Sequence, residues 1–276
     1  MLKIDNNGNI YLLQANTENN TTNSLYLYKF DNQLNLIYKN LICYGVYGSY
    51  IDRSLHPMDI DANNNIYFAL QFYGDQTLPN GTYVGVQDKW NNAVCKYSNS
   101  GSLIWINVVS AQWNLIETTS LSVANNKVNY FLDYTNAIYQ LNDSDGSIIN
   151  SYNENGNVWA YGHSNNATYI LYDPPWNSSP PGGDTILGMP LTNFLLNGGD
   201  ALIKLDQNLN PIYFKGLGNS TALVENDISD IVELNNGNIL VGIKTISNGL
   251  LVNNNIYDFD AGPKVFEFDA NGDYID

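Results

Sequence analysis

Basic residues, cysteines and long apolar runs are all scarce in this chain. Lys and Arg together number 11 among 276 residues, against 27 Asp and Glu, so the formal net charge is −16. Because no basic stripe is available to neutralise phosphates, nucleic acid is excluded as an expected partner. No apolar run reaches the roughly 18 residues that a membrane-spanning helix needs, so we expect no membrane insertion.

The two cysteines are too few for a disulfide framework. Cys43 and Cys95 are interpreted as small buried strand residues, since free cysteine is among the most buried residue types. A single disulfide between them is the alternative that the sequence leaves open.

The shortage of basic residues also bears on location. A chain with so few basic groups does not become strongly cationic in acid, which favours an acidic or extracellular setting. No secretory leader is visible after Met1, and a virus particle protein would also lack one. The expected location is therefore an extracellular surface or a virion.

A two-part phrase is present five times. Its first part is an apolar stretch, a tight turn rich in Asn and Gly, and a β-rich run; its second part is a short strand that ends in a second turn. The first part occupies residues 4–12, 60–68, 123–131, 162–170 and 233–241. The second part occupies residues 27–34, 94–101, 138–143, 202–209 and 265–272.

Each repeat resolves into four short strands, as the second repeat shows. Alternating apolar and polar positions predict strands at 57–61, 66–72, 93–97 and 102–109. Four antiparallel strands repeated in this way are typical of a β-propeller blade. We therefore predict a single all-β domain, a five-bladed β-propeller of four-stranded antiparallel blades. The blades are expected at about 1–54, 55–116, 117–156, 157–224 and 225–276.

The residues also carry a resemblance to known families. The phrase Asp-x-Asn-Gly-Asn-Ile-Tyr, followed by Lys, an apolar residue and Asp, resembles the β-propeller repeats of bacterial and archaeal surface proteins. It is similar as well to quinoprotein-like repeats, in which the turn after the third strand leads into a tryptophan, as at Trp105. The resemblance implies the fold over the whole chain and no particular ligand. No cofactor is expected, since the regular tryptophan of each quinoprotein blade is missing here.

The resemblance implies that the longest loops, 73–92, 173–200 and 247–264, share one face of the propeller. That face would hold most of the tryptophans. Aromatic rings beside Asn, Asp and Tyr suit a protein patch or a sugar ring, and packing beneath the loops is the third interpretation. The candidate binding residues are Tyr73, Tyr83, Trp90, Trp113, Trp159, Trp176 and Asp184.

Carboxylates near the predicted channel allow a test for glycoside hydrolysis. The candidates are Asp59, Asp61, Glu117, Asp230 and Glu233. Catalysis would need two of them about 5 to 9.5 Å apart. Because Asp61 and Glu233 adjoin Asn-rich turns, a turn role is the favoured interpretation for both.

Two further signals are weak. Residues 143–146 and 269–273 resemble pieces of calcium loops but lack the full ligand spacing, so plain turns are expected. Seven glycosylation sequons are present, but Asn makes up 45 residues of the chain, so most would arise by chance. The loop sequons chosen as candidate glycosylation sites are Asn80, Asn177 and Asn219.

The resulting functional hypothesis is a non-catalytic binding or structural module. It would mediate protein–protein contact, attachment or self-assembly through the long loops. A carbohydrate-binding lectin and a glycoside hydrolase are the alternatives. The last blade is short after Gly272, and its open edge is a second candidate for pairing with a partner.

Overall fold

A computed structural model describes most of the chain in sixteen stretches. They are residues 1–18, 22–46, 57–112, 118–124, 126–132, 137–153, 157–164, 167–173, 185–186, 189–190, 200–206, 208–217, 227–245, 250–252, 255–257 and 262–275. The described residues form antiparallel sheets and contain no helix, which confirms the predicted all-β class. None of them forms a helix long and apolar enough to cross a membrane.

The first three sheets each have four main strands. Sheet 1 contains β1 (Leu2–Ile4), β2 (Ile10–Glu18), β3 (Thr22–Phe30) and β4 (Leu36–Val46) in that order. Next along the chain come β5 (Met58–Ile60), β6 (Ile66–Tyr73), β7 (Gln76–Thr77), β8 (Tyr83–Val84), β9 (Trp90–Tyr97) and β10 (Leu103–Gln112). Sheet 2 has the order β10-β9-β6-β5, and β7 pairs with β8 alone. Sheet 3 contains β11 (Thr118–Ala124), β12 (Lys127–Leu132), β13 (Ala137–Asn142) and β14 (Ile148–Asn153).

The later sheets depart from the predicted four strands. The strands are β15 (Asn157–Ser164), β16 (Ala167–Asp173), β17 (Thr185–Ile186), β18 (Met189–Pro190), β19 (Asp200–Asp206), β20 (Pro211–Leu217), β21 (Asp227–Glu233), β22 (Ile239–Thr245), β23 (Leu250–Val252), β24 (Asn255–Tyr257) and β25 (Gly262–Phe268). Sheet 4 has six strands in the order β15-β16-β19-β20-β23-β24, because the β23–β24 hairpin pairs with the outer edge of β20. Sheet 5 contains β21, β22 and β25, with one bridge from Phe268 to Tyr274.

The chain divides into two compact units. One comprises Met1–Tyr134 with Ile138–Ser151 and holds sheets 1 to 3; the other comprises Thr135–Ala137 with Tyr152–Asp276 and holds sheets 4 and 5. The number of propeller blades stays a prediction.

An aspartate organises most of the repeated turns. In sheet 1, Asp31 Oδ1 accepts hydrogen bonds from the backbone N–H groups of Gln33 and Asn35 at 2.9 and 2.8 Å, and Oδ2 accepts one from the Asn35 amide at 2.8 Å. The side chain thus satisfies groups that the turn would leave unpaired. The Asn35 bonds, side chain first and backbone second, lower the Asp31 pKa. The same arrangement recurs at Asp5, Asp61 and Asp206.

In three pairs of successive sheets, an aromatic ring on the outer strand of one sheet lies on a glycine of the next sheet. Trp105 in sheet 2 covers Gly146 in sheet 3, where a Cβ atom would lie 2.6 Å from the indole ring. The indole N–H donates to the Asp143 carbonyl at 2.9 Å. Tyr38 covers Gly101 in the same way. In the second unit, Tyr213 covers Gly272.

A tyrosine and a lysine form a second link between neighbouring sheets. Tyr67 and Lys96 are directly opposed on β6 and β9. Lys96 Nζ lies 2.8 Å from an Asp143 carboxylate oxygen of sheet 3, and the Tyr67 hydroxyl donates to the same carboxylate. We call this set the Tyr–Lys clasp. The opposed pair recurs at Tyr11 and Lys29, which both donate to Asn99. It recurs again at Tyr169 and Lys204, where the Lys204 amine lies 3.6 Å from a Glu233 carboxylate oxygen.

A hydrophobic cluster fills the space between sheets 1 and 2. Tyr11, Leu27 and Phe68 are fully buried there, together with Cys43 and Cys95. Both cysteines are free thiols in the structure. Burial raises the pKa of the Cys43 thiol to about 12 and raises that of Cys95 as well, so both remain protonated and unreactive at neutral pH.

Candidate functional site

An excursion between β6 and β9 of sheet 2 is the best-described candidate for a binding site. It comprises residues 73–90 and includes β7 and β8; we call it the aromatic hairpin. Tyr83 is 64% exposed, and Tyr73 and Val86 are exposed as well. The ring of Trp90 meets that of Tyr73 edge to face, with centroids 5.5 Å apart. The hairpin therefore presents aromatic surface to the solvent.

Two apolar side chains fix the aromatic hairpin to the core. Leu78 and Val84 are buried and belong to the cluster between sheets 1 and 2. A tight turn holds the tip between them, where the Leu78 N–H donates to the Thr82 carbonyl at 2.8 Å and the Gly81 N–H donates to the Leu78 carbonyl at 2.8 Å. The hairpin is thus an anchored element, although its strands are only two residues long.

Asn91 braces the base of the aromatic hairpin. Its side chain is fully buried, and its Oδ1 accepts the Val86 N–H at 2.8 Å. Its Nδ2 lies 2.8 Å from the Gly74 carbonyl oxygen and 3.0 Å from that of Lys89. A side chain that satisfies several backbone groups of one loop holds that loop in a single conformation.

Close packing adds to this constraint at Gly85. Its φ of 100° lies in the left-handed region. A Cβ atom there would meet the Gly74 carbonyl oxygen and the Phe72 ring at 2.7 Å, so glycine is required on both counts.

The hydroxyl of Tyr83 is hydrogen-bonded to a carboxylate of the same hairpin. The Tyr83 hydroxyl donates a hydrogen bond to Asp75 Oδ2. That bond, with lesser contributions from desolvation and the Asp75 charge, raises the Tyr83 pKa, so the phenol stays neutral at physiological pH. The polar edge of one exposed ring is therefore joined to an exposed carboxylate, while its face remains available for contact.

The structure brings three of the predicted binding residues together and leaves the others apart. Tyr73, Tyr83 and Trp90 share the aromatic hairpin. Trp159 lies in β15 opposite Leu171, where only its backbone is described. Trp113, Trp176 and Asp184 lie outside the described residues.

The candidate glycosylation sites are described at one position. Asn80 is exposed at the tip of the aromatic hairpin, and its Oδ1 accepts the Thr82 N–H at 3.1 Å. Asn177 and Asn219 lie outside the described residues.

The candidate catalytic acids are occupied in local structure. Asp61 uses both carboxylate oxygens in its turn, and its Oδ2 also lies 2.9 Å from the Tyr67 hydroxyl oxygen. Asp59 is buried and accepts the Val123 N–H at 2.8 Å. Glu233 lies 3.6 Å from the Lys204 amine. Glu117 lies outside the described residues, and only the backbone of Asp230 is described.

The two calcium-like segments are turns held by protein groups. Asp145 accepts the Ser147 N–H at 2.9 Å, and Asp269 accepts the N–H groups of Asn271 and Asp273 at 2.9 and 2.8 Å. Over the described part of the chain, no group of three or more His, Cys, Asp or Glu side chains is placed to hold a metal ion.

Sequence reasoning missed the residues that brace the aromatic hairpin. Leu78, Val84 and Asn91 were read only as parts of a variable loop. The hairpin carried no periodic signal, because β7 and β8 are only two residues long. The role of Asn91 had no local signal, because its partners lie up to 17 positions away.

The chain is similar to proteins of known structure but to no known sequence family. No protein-family model and no curated protein sequence matches this chain. Among solved structures, BamB from Moraxella catarrhalis is 10% identical over 99% of this chain and 78% of its own, with a TM-score of 0.45. A protein of unknown function from Bacteroides caccae is 9% identical over 96% of this chain and 80% of its own, with a TM-score of 0.40. A complex of KlAtg21 with the coiled coil of AgAtg16 is 9% identical over 97% of this chain and 69% of its own, with a TM-score of 0.45. At these scores the similarities carry no argument about function.

Proposed function

We propose that this chain is a non-catalytic binding module built as a five-bladed β-propeller, which contacts a protein partner through its loops. The observation that carries the proposal is the aromatic hairpin of residues 73–90. Solvent-facing tyrosines on an element that is anchored in the core supply contact area at low entropic cost on binding.

The chemistry of the hairpin supports a contact role. Tyrosine and tryptophan are enriched among residues that dominate protein–protein binding energies. Tyr73, Tyr83 and Val86 are exposed on one short element, and Asn91 and Gly85 hold that element in place. The partner would therefore meet a preformed surface.

The five blades are supported by the five recurring phrases and by the aromatic-on-glycine contacts. Those contacts link successive repeats at Tyr38 and Gly101, at Trp105 and Gly146, and at Tyr213 and Gly272. An extracellular surface or a virus particle is the proposed location, which the shortage of basic residues supports.

A photo-crosslinking experiment tests the contact role. Tyr83 is replaced by a benzoyl-phenylalanine residue, and the control carries the same residue at Ile104, which is exposed on β10 outside the hairpin. Crosslinking in the native host should give a protein adduct from position 83 and none of the same mass from position 104. The captured protein is then purified, and its affinity is measured against the wild type, Tyr83→Ala and Ile104→Ala.

The crosslinking result and the three affinities decide whether the aromatic hairpin contacts the partner. A loss of affinity of tenfold or more for Tyr83→Ala, with Ile104→Ala unchanged, supports the proposal. No adduct from position 83, or equal affinities for the three proteins, overturns it. Retention of the wild type but not Tyr83→Ala on a glycan array would indicate the lectin instead.

A further inference from the structure

One glycosylation sequon, Asn80-Gly81-Thr82, forms the tip of the aromatic hairpin between β7 and β8. Asn80 and Gly81 are exposed, and Thr82 is half-buried. An N-linked glycan requires an asparagine two positions before a serine or threonine, and it requires room at the surface for a bulky group. The sequence pattern alone does not distinguish this sequon from the others, but their surroundings in the structure do.

The side-chain amide of Asn80 is held at its oxygen and available at its nitrogen. Its Oδ1 accepts the Thr82 N–H at 3.1 Å, which closes an Asx turn. Its Nδ2, the atom to which a sugar would be attached, makes no hydrogen bond to the described residues. The turn residues Asn35 and Asn65 differ, because each donates its Nδ2 to the aspartate of its turn at 2.8 Å.

The tip also has room and few constraints. A Cβ atom placed on Gly81 would find nothing within 4 Å. The remaining tip bonds are local, since the Gly81 N–H donates to the Leu78 carbonyl and the Leu78 N–H donates to the Thr82 carbonyl, both at 2.8 Å. A tip with only local bonds opens at a low cost in free energy, so a transferase can accept it without unfolding the sheet.

The surroundings of this tip are set within one compact unit. Sheet 2 lies between sheets 1 and 3 of that unit. Asn40 of sheet 1 donates to the Gly101 carbonyl of sheet 2 at 2.7 Å, and Asn107 of sheet 2 donates to the Gly146 carbonyl of sheet 3 at 2.7 Å. Both neighbours of sheet 2 are therefore known, and neither covers Asn80.

The sequon at Asn142 has a similar turn but is locked between two sheets. Asn142 Oδ1 accepts the Ser144 N–H at 3.1 Å. The middle residue of this sequon, Asp143, accepts the Trp105 indole N–H at 2.9 Å and the Lys96 amine at 3.1 Å through its carbonyl. Moving this sequon into a transferase would break the Tyr–Lys clasp, so we expect it to stay unmodified.

A third sequon, at residues 166–168, has its hydroxyl residue inside a sheet. Thr168 is 3% exposed and is paired on both sides, with His163 of β15 and Leu205 of β19. The sequon requires a serine or threonine at this position, and here that residue is out of reach in the folded chain. Of these three sequons, the one at Asn80 combines exposure, room and an available amide nitrogen.

We propose that Asn80 is a site of N-linked glycosylation. The donor is an oligosaccharide carried on a lipid phosphate or pyrophosphate, which the host supplies together with the transferase. The Asn80 Nδ2 atom forms a bond to the anomeric carbon of the sugar, and the bond from that carbon to the phosphate oxygen breaks. The phosphate leaves with the electron pair, and a base of the transferase takes one proton from Nδ2. The inference goes beyond the contact with a protein partner and does not rest on it.

Three variants, produced in the native host beside the wild type, test the site. Asn80→Asp keeps the oxygen that accepts the Thr82 N–H but removes the amide nitrogen. Thr82→Ala keeps the asparagine and removes the hydroxyl, whereas Thr82→Ser retains a hydroxyl and is the matched control. Folding is checked by circular dichroism. Peptides that contain Asn80 or Asn142 are then analysed by mass spectrometry with electron-transfer fragmentation, which leaves a sugar on the residue that carries it.

Most copies of the wild type and of Thr82→Ser should carry sugar on Asn80. Asn80→Asp and Thr82→Ala should carry none on this peptide, because one lacks the nitrogen and the other lacks the hydroxyl of the sequon. The peptide that contains Asn142 should be unmodified in all four proteins.

Three results would overturn the inference. An unmodified Asn80 in the wild type shows that the site is not used. Sugar that persists in Asn80→Asp or in Thr82→Ala shows a different linkage or a different residue. Equal modification of Asn142 shows that the surroundings of a sequon do not select it. Since crosslinking from position 83 is a separate measurement, none of these results bears on the contact with a protein partner.

Discussion

Sheets 2 and 5 pair their two middle strands in the same way but carry different residues at the equivalent position. In sheet 2 the opposed pair is Tyr67 and Lys96, and both reach Asp143 of the next sheet. In sheet 5 the opposed pair is Leu240 and Glu267, between the exposed Val232 and Val265. The residue pair at this register position therefore differs between two sheets whose middle strands pair in the same way.

Sheet 3 has an amide pair in its middle strands. Gln140 on β13 and Asn129 on β12 are both buried, and the Gln140 amide donates to Asn129 Oδ1 at 3.0 Å. The Gln140 oxygen accepts in turn from the Asn150 amide at 3.2 Å. Amide groups both donate and accept, whereas a buried lysine can only donate and therefore needs a carboxylate or carbonyl acceptor.

The largest effect should come from filling the docking position beneath Trp105. Gly146→Ala adds a Cβ atom 2.6 Å from the indole ring at a residue with φ of 73°. We expect a loss of about 3 to 5 kcal/mol in unfolding free energy, from backbone strain and overpacking together. Gly81→Ala is the control, since its φ is 87° and nothing lies within 4 Å of the added atom. It should cost about 1 kcal/mol by urea denaturation; equal losses would remove the docking explanation.

The next largest loss of unfolding free energy should come from removing the Tyr–Lys clasp of sheet 2, and the equivalent substitution in sheet 5 should cost little. Lys96→Met leaves the Asp143 carboxylate without its ion pair in a largely buried setting, and we expect a cost of about 2 to 4 kcal/mol. Glu267→Met, the equivalent change in sheet 5, should cost less than about 1 kcal/mol. A double-mutant cycle of Lys96→Met with Asp143→Asn measures the coupling, and additive losses would contradict a direct link.

A smaller and local effect concerns the aromatic hairpin between β6 and β9 of sheet 2. Asn91→Ala removes the acceptor of the Val86 N–H and should cost about 1 to 3 kcal/mol. Among the backbone amides, that of Val86 should show the largest loss of protection from hydrogen exchange. Asn80→Ala at the exposed tip is the control and should leave the Val86 exchange rate unchanged; similar rates in both variants would show that Asn91 is not the brace.

The smallest effect concerns the aspartate turns that the sheets share. The folded-state pKa of Asp31 lies below its ordinary value of 3.8, because Asn35 donates to the ionised form. Its contribution to stability is therefore present above pH 3.8 and is lost as pH falls through the folded-state value. Urea midpoints from pH 7 to pH 2 should fall in acid, and less so in Asp31→Ser, which copies the turn at Ser98. An unchanged acid profile in the serine variant would exclude this contribution.

Local features were predictable because their causes are local. The strands at 66–72 and 102–109 match β6 and β10 to within a few residues, since alternation along a strand is written in consecutive positions. The turn role expected for Asp61 rests on Asn65, only four positions away. The hairpin strands β7 and β8 were missed because two-residue strands carry no periodicity.

Features that depend on distant partners were not predictable in the same way. Asp143 was interpreted as part of a plain turn, but it also accepts a hydrogen bond from the Tyr67 hydroxyl, 76 positions away. The β23–β24 hairpin was interpreted as a loop of the last repeat, but it extends sheet 4 through the pairing of Leu217 with Val252. Sequence patterns do not record which edge a short hairpin joins.

The sequence alone determined the antiparallel all-β class, the positions of most strands and the aspartate turns, because each of these follows from residues within one repeat. The tertiary structure decided which tyrosine–lysine pairs find an acceptor, which glycines lie beneath an aromatic ring, and which apolar faces are buried. The physical reason is that burial and pairing arise between sheets, whose residues are far apart in the chain.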